Sequence, residues 1–404
     1  MRNYKKRDFF AIAIVCALLF SYNSILAQEN SKAAVISKDL KWSERMALSI
    51  MKRAPKPWQI DNNEKTKWDY KLGLAMLSFE KLSKKTNNPI YFDYAKQYAE
   101  SVINPSGEIL NYKLEDYNID NINAGKILFD LYKDTKDNRY LTALKTLREQ
   151  LKTHPRTNSG GFWHKKIYPY QMWLDGLYMG APFYAQYSSE FENGKDFDDI
   201  AKQFEQVHLH TLDQKTGLLF HAWDESKKMD WANKETGTSP NFWSRSIGWY
   251  MMALVDVLDY MPKDHPKRKE LIQYLNDISK AVAKYQDTSG LWYQVTDAGS
   301  KKGNYLEASG SEMFVYAFAK GVNKGYLPKS YKKLAFKGFD GITKKLITVD
   351  PDGEIHITQV CASAGLGGNP YRDGSYEYYI SEKIKVDNSH GLGPFILAAL
   401  ELEK

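Results

Sequence analysis

Helical segments that are apolar on nearly every side recur along this chain and constrain its fold more than any other feature. Each starts with polar or glycine-rich residues and then becomes apolar around its circumference, so other elements must surround it. The six segments of this kind are 68–79, 120–132, 173–187, 243–255, 309–319 and 391–401. Amphipathic helices with a lysine-rich outer face lie between them, at 90–102, 138–153, 197–212, 267–284 and 330–346. Buried and half-exposed helices therefore alternate.

This alternation predicts an all-α (α/α)6 barrel. Helical periodicity begins at Trp42, which adds one more outer helix and gives each inner helix an outer partner. A second repeat supports the prediction, because a glycine turn and a few β-prone residues follow several outer helices. These turns place four polar residues at similar positions, namely His164, His221, Gln294 and His356. We therefore expect short β-like loops at one rim, with the N-termini of the inner helices lining one end.

The first 27 residues have the pattern of a secretory signal peptide. Basic residues at 2–7 precede an apolar run over 9–20, and Ala27 is a small residue at the expected cleavage point. An uncleaved anchor is the weaker alternative, because the apolar run is short for a membrane span. We predict that residues 1–27 direct secretion or periplasmic delivery. Residues 28–404 lack a linker-like composition and are expected to form a single catalytic domain without a membrane association.

Charge and cysteine usage exclude several classes of partner. Removing residues 1–27 takes away four basic residues and one acidic residue, so the net charge of +7 falls to +4, which is too mild for nucleic-acid binding. Only Cys361 remains after this removal, so no intrachain disulfide can form. No metal-ligand spacing of histidines or cysteines occurs, and we predict neither a metal nor another cofactor. The aromatic fraction of 14% suits a sugar-binding cleft, although a large aromatic core also explains it.

Asp175 is the ionisable residue that conflicts most with its surroundings. It lies in the first turns of the segment 173–187, which is otherwise apolar or aromatic. A buried lone carboxylate must be paired, be protonated or face a wet cavity. Apolar surroundings favour the protonated form that a general acid requires. The alternative is a helix N-terminal carboxylate satisfied by backbone N–H groups. Residues 170–173 are expected to be helical already, which argues against that alternative without excluding it.

Four other residues are candidates for the functional site, and for each of them a purely structural role is the alternative. Asp120 precedes a helical segment, and the residues alone favour a helix N-cap there. Arg245 lies at the start of a helix, where a cation opposes the helix dipole, so it suits a carboxylated ligand or a salt bridge. A lone histidine is usually structural, but His164 and His221 occupy equivalent positions at one rim, which favours a functional role for both.

Several of these segments together resemble glycoside hydrolase family 105, the unsaturated rhamnogalacturonyl hydrolases. The resemblance covers almost the whole chain after residue 27. It rests on the order and spacing of the segments GFWH at 161–164, YPYQMWLDGLYM at 168–179, FHAWD at 220–224, FWSRSIGW at 242–249, YRDGSYEYY at 371–379 and GLGPF at 391–395. The family has an (α/α)6 barrel, in agreement with the six-fold alternation. Ser244, Ser246 and Ile247 differ from the residues more common in the family, so the subsites can differ in detail.

The resemblance assigns roles to individual residues. It implies that Asp175 is the catalytic acid and base and that Asp120 is a second active-site acid. The residues predicted to bind substrate are His164, His221, Trp243, Arg245, Trp249, Trp68, Gln171 and Tyr376. Trp243 and Trp249 would offer stacking faces on either side of Arg245.

The resemblance also implies a reaction. The substrate would be an oligosaccharide left by a polysaccharide lyase, of rhamnogalacturonan or pectin type, with a 4,5-unsaturated uronic acid at its non-reducing end. Acid-catalysed hydration of the C4=C5 bond would release that sugar. An unsaturated glucuronyl hydrolase acting on ulvan or glycosaminoglycan fragments is the main alternative. A non-catalytic sugar-binding barrel, a lyase and a mannosidase on the same fold also stay open, because fold does not fix function.

Overall fold

Inner and outer helices alternate along the chain in the computed structural model, which describes residues 35–403. The inner helices are α2 (Tyr70–Thr86), α4 (Asp120–Asn123) with α5 (Ile127–Thr135), α7 (Leu174–Phe191), α9 (Ser244–Val257), α11 (Ala308–Asn323) and α14 (Ser389–Leu402). The outer helices are α1 (Trp42–Arg53), α3 (Pro89–Val102), α6 (Asn138–Thr153), α8 (Phe197–Thr211), α10 (Arg268–Ala283) and α12 (Tyr331–Lys345). A short helix, α13 (Tyr376–Ser381), precedes α14.

The inner helices form a closed ring. In order around the ring, α2 packs on α4, α4 on α7, α7 on α9, α9 on α11, α11 on α14, and α14 returns to α2. Every residue of α9 is buried, as an inner helix that is apolar on all sides requires. The step from α2 to the second inner segment is especially close, because a Cβ on Gly73 would lie 2.4 Å from the Cα of Ala124. The predicted (α/α)6 barrel is confirmed.

Short antiparallel strands join the repeats at the rim where the inner helices begin. They pair as β1 (Gln171–Trp173) with β2 (Ala222–Asp224), β3 (Trp292–Tyr293) with β4 (Leu306–Glu307), β5 (Ile347–Val349) with β6 (Ile355–Ile357), and β7 (Val360–Cys361) with β8 (Ile384–Lys385). Three 3₁₀ turns complete the regular elements of the described residues, at Pro57–Asn62, Leu114–Asp116 and Ala124–Lys126. The predicted β-like loops are confirmed.

The expectation that residues 170–173 are helical is wrong. Tyr170 has a left-handed backbone with φ of 62°, which a helix cannot accommodate, and the next three residues form β1. In the β1–β2 register, Met172 pairs with Trp223 and Trp173 pairs with Ala222. The backbone N–H of Leu174 then donates to the carbonyl of His221. This pairing holds the start of α7 beside the loop that carries His221.

The predicted signal peptide, residues 1–27, lies outside the described residues. Between residues 35 and 403, no helix combines the length and the apolar character that a bilayer span requires. The prediction of one domain over 28–404 stays a prediction.

Candidate active site

Asp175 and His221 face each other at the N-terminal end of α7. Asp175 is the second residue of that helix, and its Oδ2 lies 3.2 Å from Nε2 of His221. The contact is not aligned as a hydrogen bond, and neither atom has a hydrogen-bond partner within residues 35–403. His221 is fully buried, and its Nδ1 lies 2.7 Å from the hydroxyl of Tyr379. No backbone N–H group therefore binds Asp175 Oδ2, whereas the capping alternative would require such a bond.

An ion pair with Lys165 holds Asp120 as an anion, and no sequence pattern predicts this pair. Its Oδ2 lies 2.6 Å from Nζ of Lys165, and its Oδ1 lies 3.6 Å from Nε2 of His164. Burial alone would raise the pKa of Asp120, but the charge and hydrogen bond of Lys165 outweigh burial and lower it overall, with a contribution from His164 when its imidazole is protonated in acid. The predicted N-cap role is wrong. Asp120 is the first residue of α4, and its own backbone N–H donates to Oδ1 of Asn118.

His164 lies flat against Trp173. The two rings are 4.4 Å apart between centroids and only 6° from parallel. Burial lowers the pKa of His164 to about 4, although the neighbouring Asp120 opposes the shift. The imidazole is therefore neutral at neutral pH. It adds a polar edge beside Asp120 but no positive charge there.

Arg245 is a buried cation without a direct carboxylate partner. It is the second residue of α9 and is only 1% exposed. Its Nη1 donates to the hydroxyl of Ser309 at 3.3 Å and to the carbonyl of Cys361 at 2.5 Å. Its Nε has no hydrogen-bond partner, and in the described part of the chain no carboxylate lies within ion-pair distance. The salt-bridge alternative is therefore wrong, and the guanidinium retains capacity for an anionic ligand.

Three of the predicted binding residues lie at the edge of the site, and each has at least one polar side-chain atom bonded within the protein. The indole N–H of Trp68 donates to the carbonyl of Asn121 at 2.7 Å, next to Asp120. That of Trp243 donates to Oε1 of Gln294, and the Trp243 ring lies 4.9 Å from His221.

Gln171 is the third of these residues. Its Oε1 accepts from the indole N–H of Trp173, while its buried Nε2 has no partner within residues 35–403. These side chains shape the walls around the acids.

Two other predicted binding residues, Trp249 and Tyr376, have their side chains committed to contacts within the protein. Trp249 is 1% exposed and stacks on Tyr178 in the barrel core, at 4.9 Å between centroids, so the expected stacking face is not accessible. The hydroxyl of Tyr376 donates to the carbonyls of Lys301 and Lys302, which fixes a loop. Both residues have local patterns typical of binding sites, namely a tryptophan near Arg245 and a tyrosine in a glycine-rich segment. Trp249 lies more than one turn along α9, which removes its side chain from the mouth, whereas the Tyr376 hydroxyl is already used by the loop.

Sequence reasoning missed Lys165, Tyr379, Tyr70 and His390. The hydroxyl of Tyr70 lies 2.7 Å from Nε2 of His390. A simple rule would have found two of them, because the first or second residue of every inner helix reaches this end of the barrel. These residues are Tyr70, Asp120, Asp175, Arg245, Ser309 and His390.

The assembled groups have complementary chemistry. Asp175 is 15% exposed and has an oxygen without a hydrogen-bond partner in the described part of the chain, Asp120 is a fixed anion, and Arg245 is a fixed cation. Such a set can donate and accept a proton at one point while binding a carboxylate at another. In the described part of the chain, no cluster of three or more histidine, cysteine or acidic residues could hold a metal ion.

Comparison with known proteins agrees with this chemistry. The sequence profile of Glycosyl Hydrolase Family 88 matches residues 42–404. The solved structure of a family 105 glycoside hydrolase from C. acetobutylicum ATCC 824 superposes with a TM-score of 0.87. It is 48% identical and covers 90% of this chain and 99% of that one.

Two relatives with described activities are more distant. The unsaturated rhamnogalacturonyl hydrolase YesR of Bacillus subtilis (strain 168) is 27% identical over 316 residues, which is 77% of this chain and 84% of YesR. An unsaturated 3S-rhamnoglycuronyl hydrolase of Alteromonas sp. (strain LOR) is 26% identical over 231 residues, which is 57% of this chain and 50% of that protein. The chain therefore matches the family 88 profile and belongs to glycoside hydrolase family 105. It is an unsaturated uronyl hydrolase.

Proposed function

We propose that this enzyme removes a 4,5-unsaturated uronic acid from the non-reducing end of oligosaccharides that a lyase has released from rhamnogalacturonan. The observation that carries the proposal is that one end of the barrel holds both an acid with an unbonded oxygen, Asp175, and a buried cation without a carboxylate partner in the described residues, Arg245. The unsaturated sugar is itself a carboxylate beside an electron-rich double bond, so it needs both groups. The similarity to YesR supports the rhamnogalacturonan origin.

Asp175 is the proton donor and acceptor in this proposal. It gives its proton to C4, the C4=C5 electron pair forms the new C–H bond, and the ring oxygen stabilises the cation at C5. Water then adds at C5 and returns a proton to Asp175, which restores the acid. The resulting hemiketal opens, and C1 releases the remaining oligosaccharide as an alcohol. One carboxyl group suffices because it acts first as an acid and then as a base.

The neighbouring groups orient the substrate for these steps. Arg245 binds the uronic carboxylate, and its lack of a protein carboxylate partner leaves its charge available. Asp120 accepts hydrogen bonds from sugar hydroxyls while Lys165 keeps it ionised. His221 lies 3.2 Å from Asp175 and orients its carboxyl group or the attacking water. No step requires a cofactor.

A substrate panel tests the origin of the oligosaccharide. Purified enzyme is mixed with lyase products of rhamnogalacturonan, ulvan and glycosaminoglycans, and loss of the ultraviolet absorbance of the unsaturated sugar is followed. The proposal expects the highest kcat/KM with the rhamnogalacturonan product. Faster turnover of the ulvan or glycosaminoglycan product would favour the alternative of an unsaturated glucuronyl hydrolase. A rise in absorbance with intact polysaccharide would indicate a lyase and refute the proposal.

We also propose that the enzyme is secreted or periplasmic, because residues 1–27 have the features of a signal peptide. The N-terminal sequence of protein purified from the native cell envelope tests this proposal. A mature chain that starts at Gln28 is the expected result, and an intact N-terminus in the cytosol would contradict it.

A further inference from the structure

Four side chains form a hydrogen-bonded series that begins at Asp61 and ends at Tyr70. Nδ2 of Asn388 donates to Oδ1 of Asp61 at 3.2 Å. Oδ1 of Asn388 lies 2.8 Å from Nδ1 of His390, and Nε2 of His390 lies 2.7 Å from the Tyr70 hydroxyl. Asn388 and His390 are 4% and 3% exposed, so water does not compete for these bonds. We call this series the Asp61–Tyr70 relay.

The chemistry of Asp61 sets the direction of every bond in the relay. An ionised carboxylate only accepts hydrogen bonds, so the atom of Asn388 that faces Asp61 must be its amide nitrogen. The amide oxygen therefore faces His390 and requires a proton on Nδ1. Asp61 is fixed in turn, because it also accepts from the Ser389 backbone at 2.9 Å and from Lys71 at 3.2 Å.

His390 then acts as an acceptor toward Tyr70. Burial lowers the pKa of His390 well below its usual value, and the charge of Arg245 lowers it further, so the ring carries one proton only. With that proton on Nδ1, the bare Nε2 accepts from the Tyr70 hydroxyl. The hydrogen of the hydroxyl therefore points toward His390, and a lone pair of the oxygen is left for another partner.

Tyr70 is positioned to use that lone pair on substrate. It is the first residue of α2, partly exposed at the same end of the barrel as the acids. Burial raises its pKa well above the usual value, and among the charges that act on it are those of Asp120, Arg245 and Asp175. The phenol is therefore neutral, and it lies within the electrostatic reach of all three charged groups of the site.

We infer that His390 is a positioning residue, which turns the Tyr70 hydroxyl so that its oxygen accepts a hydrogen bond from a ring hydroxyl of the unsaturated sugar. The inference rests on the unsaturated uronyl hydrolase activity but not on the polysaccharide of origin. It makes the contact selective, because a free hydroxyl can donate to Tyr70, whereas a methylated or sulfated oxygen cannot. A hydroxyl group free to rotate would tolerate both, and the relay removes that freedom.

A double-mutant cycle tests the inference with whichever lyase product the wild-type enzyme hydrolyses. Tyr70→Phe removes the acceptor and should lower kcat/KM about ten-fold, the size of one neutral hydrogen bond at the upper end of its range. His390→Leu keeps the Tyr70 hydroxyl but removes the acceptor that orients it. This variant should lower kcat/KM about three- to ten-fold, mainly through KM. The double variant should be no worse than Tyr70→Phe, because His390 acts through Tyr70. Losses that multiply would overturn the inference.

Two amide variants separate positioning from packing at His390. His390→Gln places an amide oxygen near the position of Nε2 and should restore most of kcat/KM. His390→Asn reaches only the position of Nδ1 and should not. Thermal unfolding of both variants shows whether each is folded, and this pair decides the question even if His390→Leu does not fold. Equal activity of the two folded amide variants would overturn the inference.

The substrate gives an independent measurement. A panel of unsaturated disaccharides methylated singly at each free hydroxyl of the uronyl ring should contain one that wild-type enzyme hydrolyses about ten-fold more slowly. Tyr70→Phe should show no such difference for that compound. If Tyr70→Phe discriminates as wild type does, Tyr70 is not the acceptor. A wild-type enzyme inactive on every unsaturated substrate would instead refute the proposed function, which is a distinguishable result.

Discussion

Replacing Lys126 by methionine should change how stability depends on pH. Lys126 ends the 3₁₀ turn between α4 and α5, and its side chain lies toward the barrel end opposite the active site, beside Asp256 near the C-terminus of α9. It is 5% exposed, and its Nζ has no hydrogen-bond partner within residues 35–403. Its closest favourable contact is the face of Tyr178, whose centroid lies 3.5 Å from Nζ.

The sign of the effect follows from proton binding. Burial lowers the pKa of Lys126 from 10.5 to about 7, opposed by Asp256 and assisted by Lys81 and Lys320. Between pH 7 and 10.5 the unfolded chain therefore binds a proton at this residue that the folded chain lacks. The free energy of unfolding must therefore rise as pH increases from 7 to 10.5, and it must fall again as pH returns toward 7. A shift of about 3.5 pH units corresponds to about 5 kcal/mol.

The methionine variant removes this dependence. At pH 7 it should be more stable than wild type by about 3 kcal/mol. Removing the buried lysine contributes about 5 kcal/mol, and losing its contact with the Tyr178 ring costs about 2 kcal/mol. With an unfolding entropy of about 2.1 cal/mol/K per residue, that gain raises Tm by about 4 °C. Above pH 10.5 the gain should disappear, because wild-type Lys126 is then neutral in both states.

Calorimetry of both proteins at several pH values between 7 and 10 measures the effect. Lys145→Met, on the exposed face of α6, is the matched control and should leave the pH dependence unchanged. A difference in Tm between wild type and Lys126→Met that stays constant over this range would refute the reasoning. A difference that grows with pH would show that the sign is wrong.

Three further predictions concern the site and its walls. Asp175→Asn should lower kcat by about 10²- to 10⁴-fold while substrate still binds, measured by loss of ultraviolet absorbance and by calorimetric titration; near-normal turnover would exclude Asp175 as the acid. Lys165→Met should leave Asp120 with a higher pKa, so activity should be lost at a higher pH on the acid side than in wild type, whereas Lys165→Arg should retain the wild-type profile. Trp249→Phe should lower stability by about 1–3 kcal/mol with KM unchanged, and a large rise in KM would place Trp249 in the binding site after all.

The barrel was predictable because its signal is local. A helix that is apolar on all sides can be recognised within fifteen residues, and six of them alternating with amphipathic helices leave few architectures. The starts of β1 and α7 were not predictable in the same way. The sequence before Asp175 is apolar enough for a helix, but its pairing with β2 competes, and the left-handed Tyr170 prevents helical continuation.

The partners of the catalytic groups were hidden for a different reason. Tyr70 contacts His390 across 320 positions, because the last inner helix closes the ring against the first, and His221 contacts Tyr379 of α13 across 158 positions. Lys165 stands beside Lys166, and such a pair resembles a solvated surface segment. Its ion pair with Asp120 depends on how two repeats dock. Ring closure and docking bring together residues whose individual surroundings in the sequence carry no functional signal.

The position of Arg245 argues that this end of the barrel is organised for an anion. At the second position of α9 its charge opposes the helix dipole, which costs about 0.3–1 kcal/mol, and it is almost fully buried as well. The two acids, Asp120 and Asp175, occupy corresponding positions where the same dipole stabilises them. Stability alone would favour an acid or a neutral residue in all six helices. The cation among them is consistent with the proposal that this end of the barrel binds the carboxylate of a uronic acid.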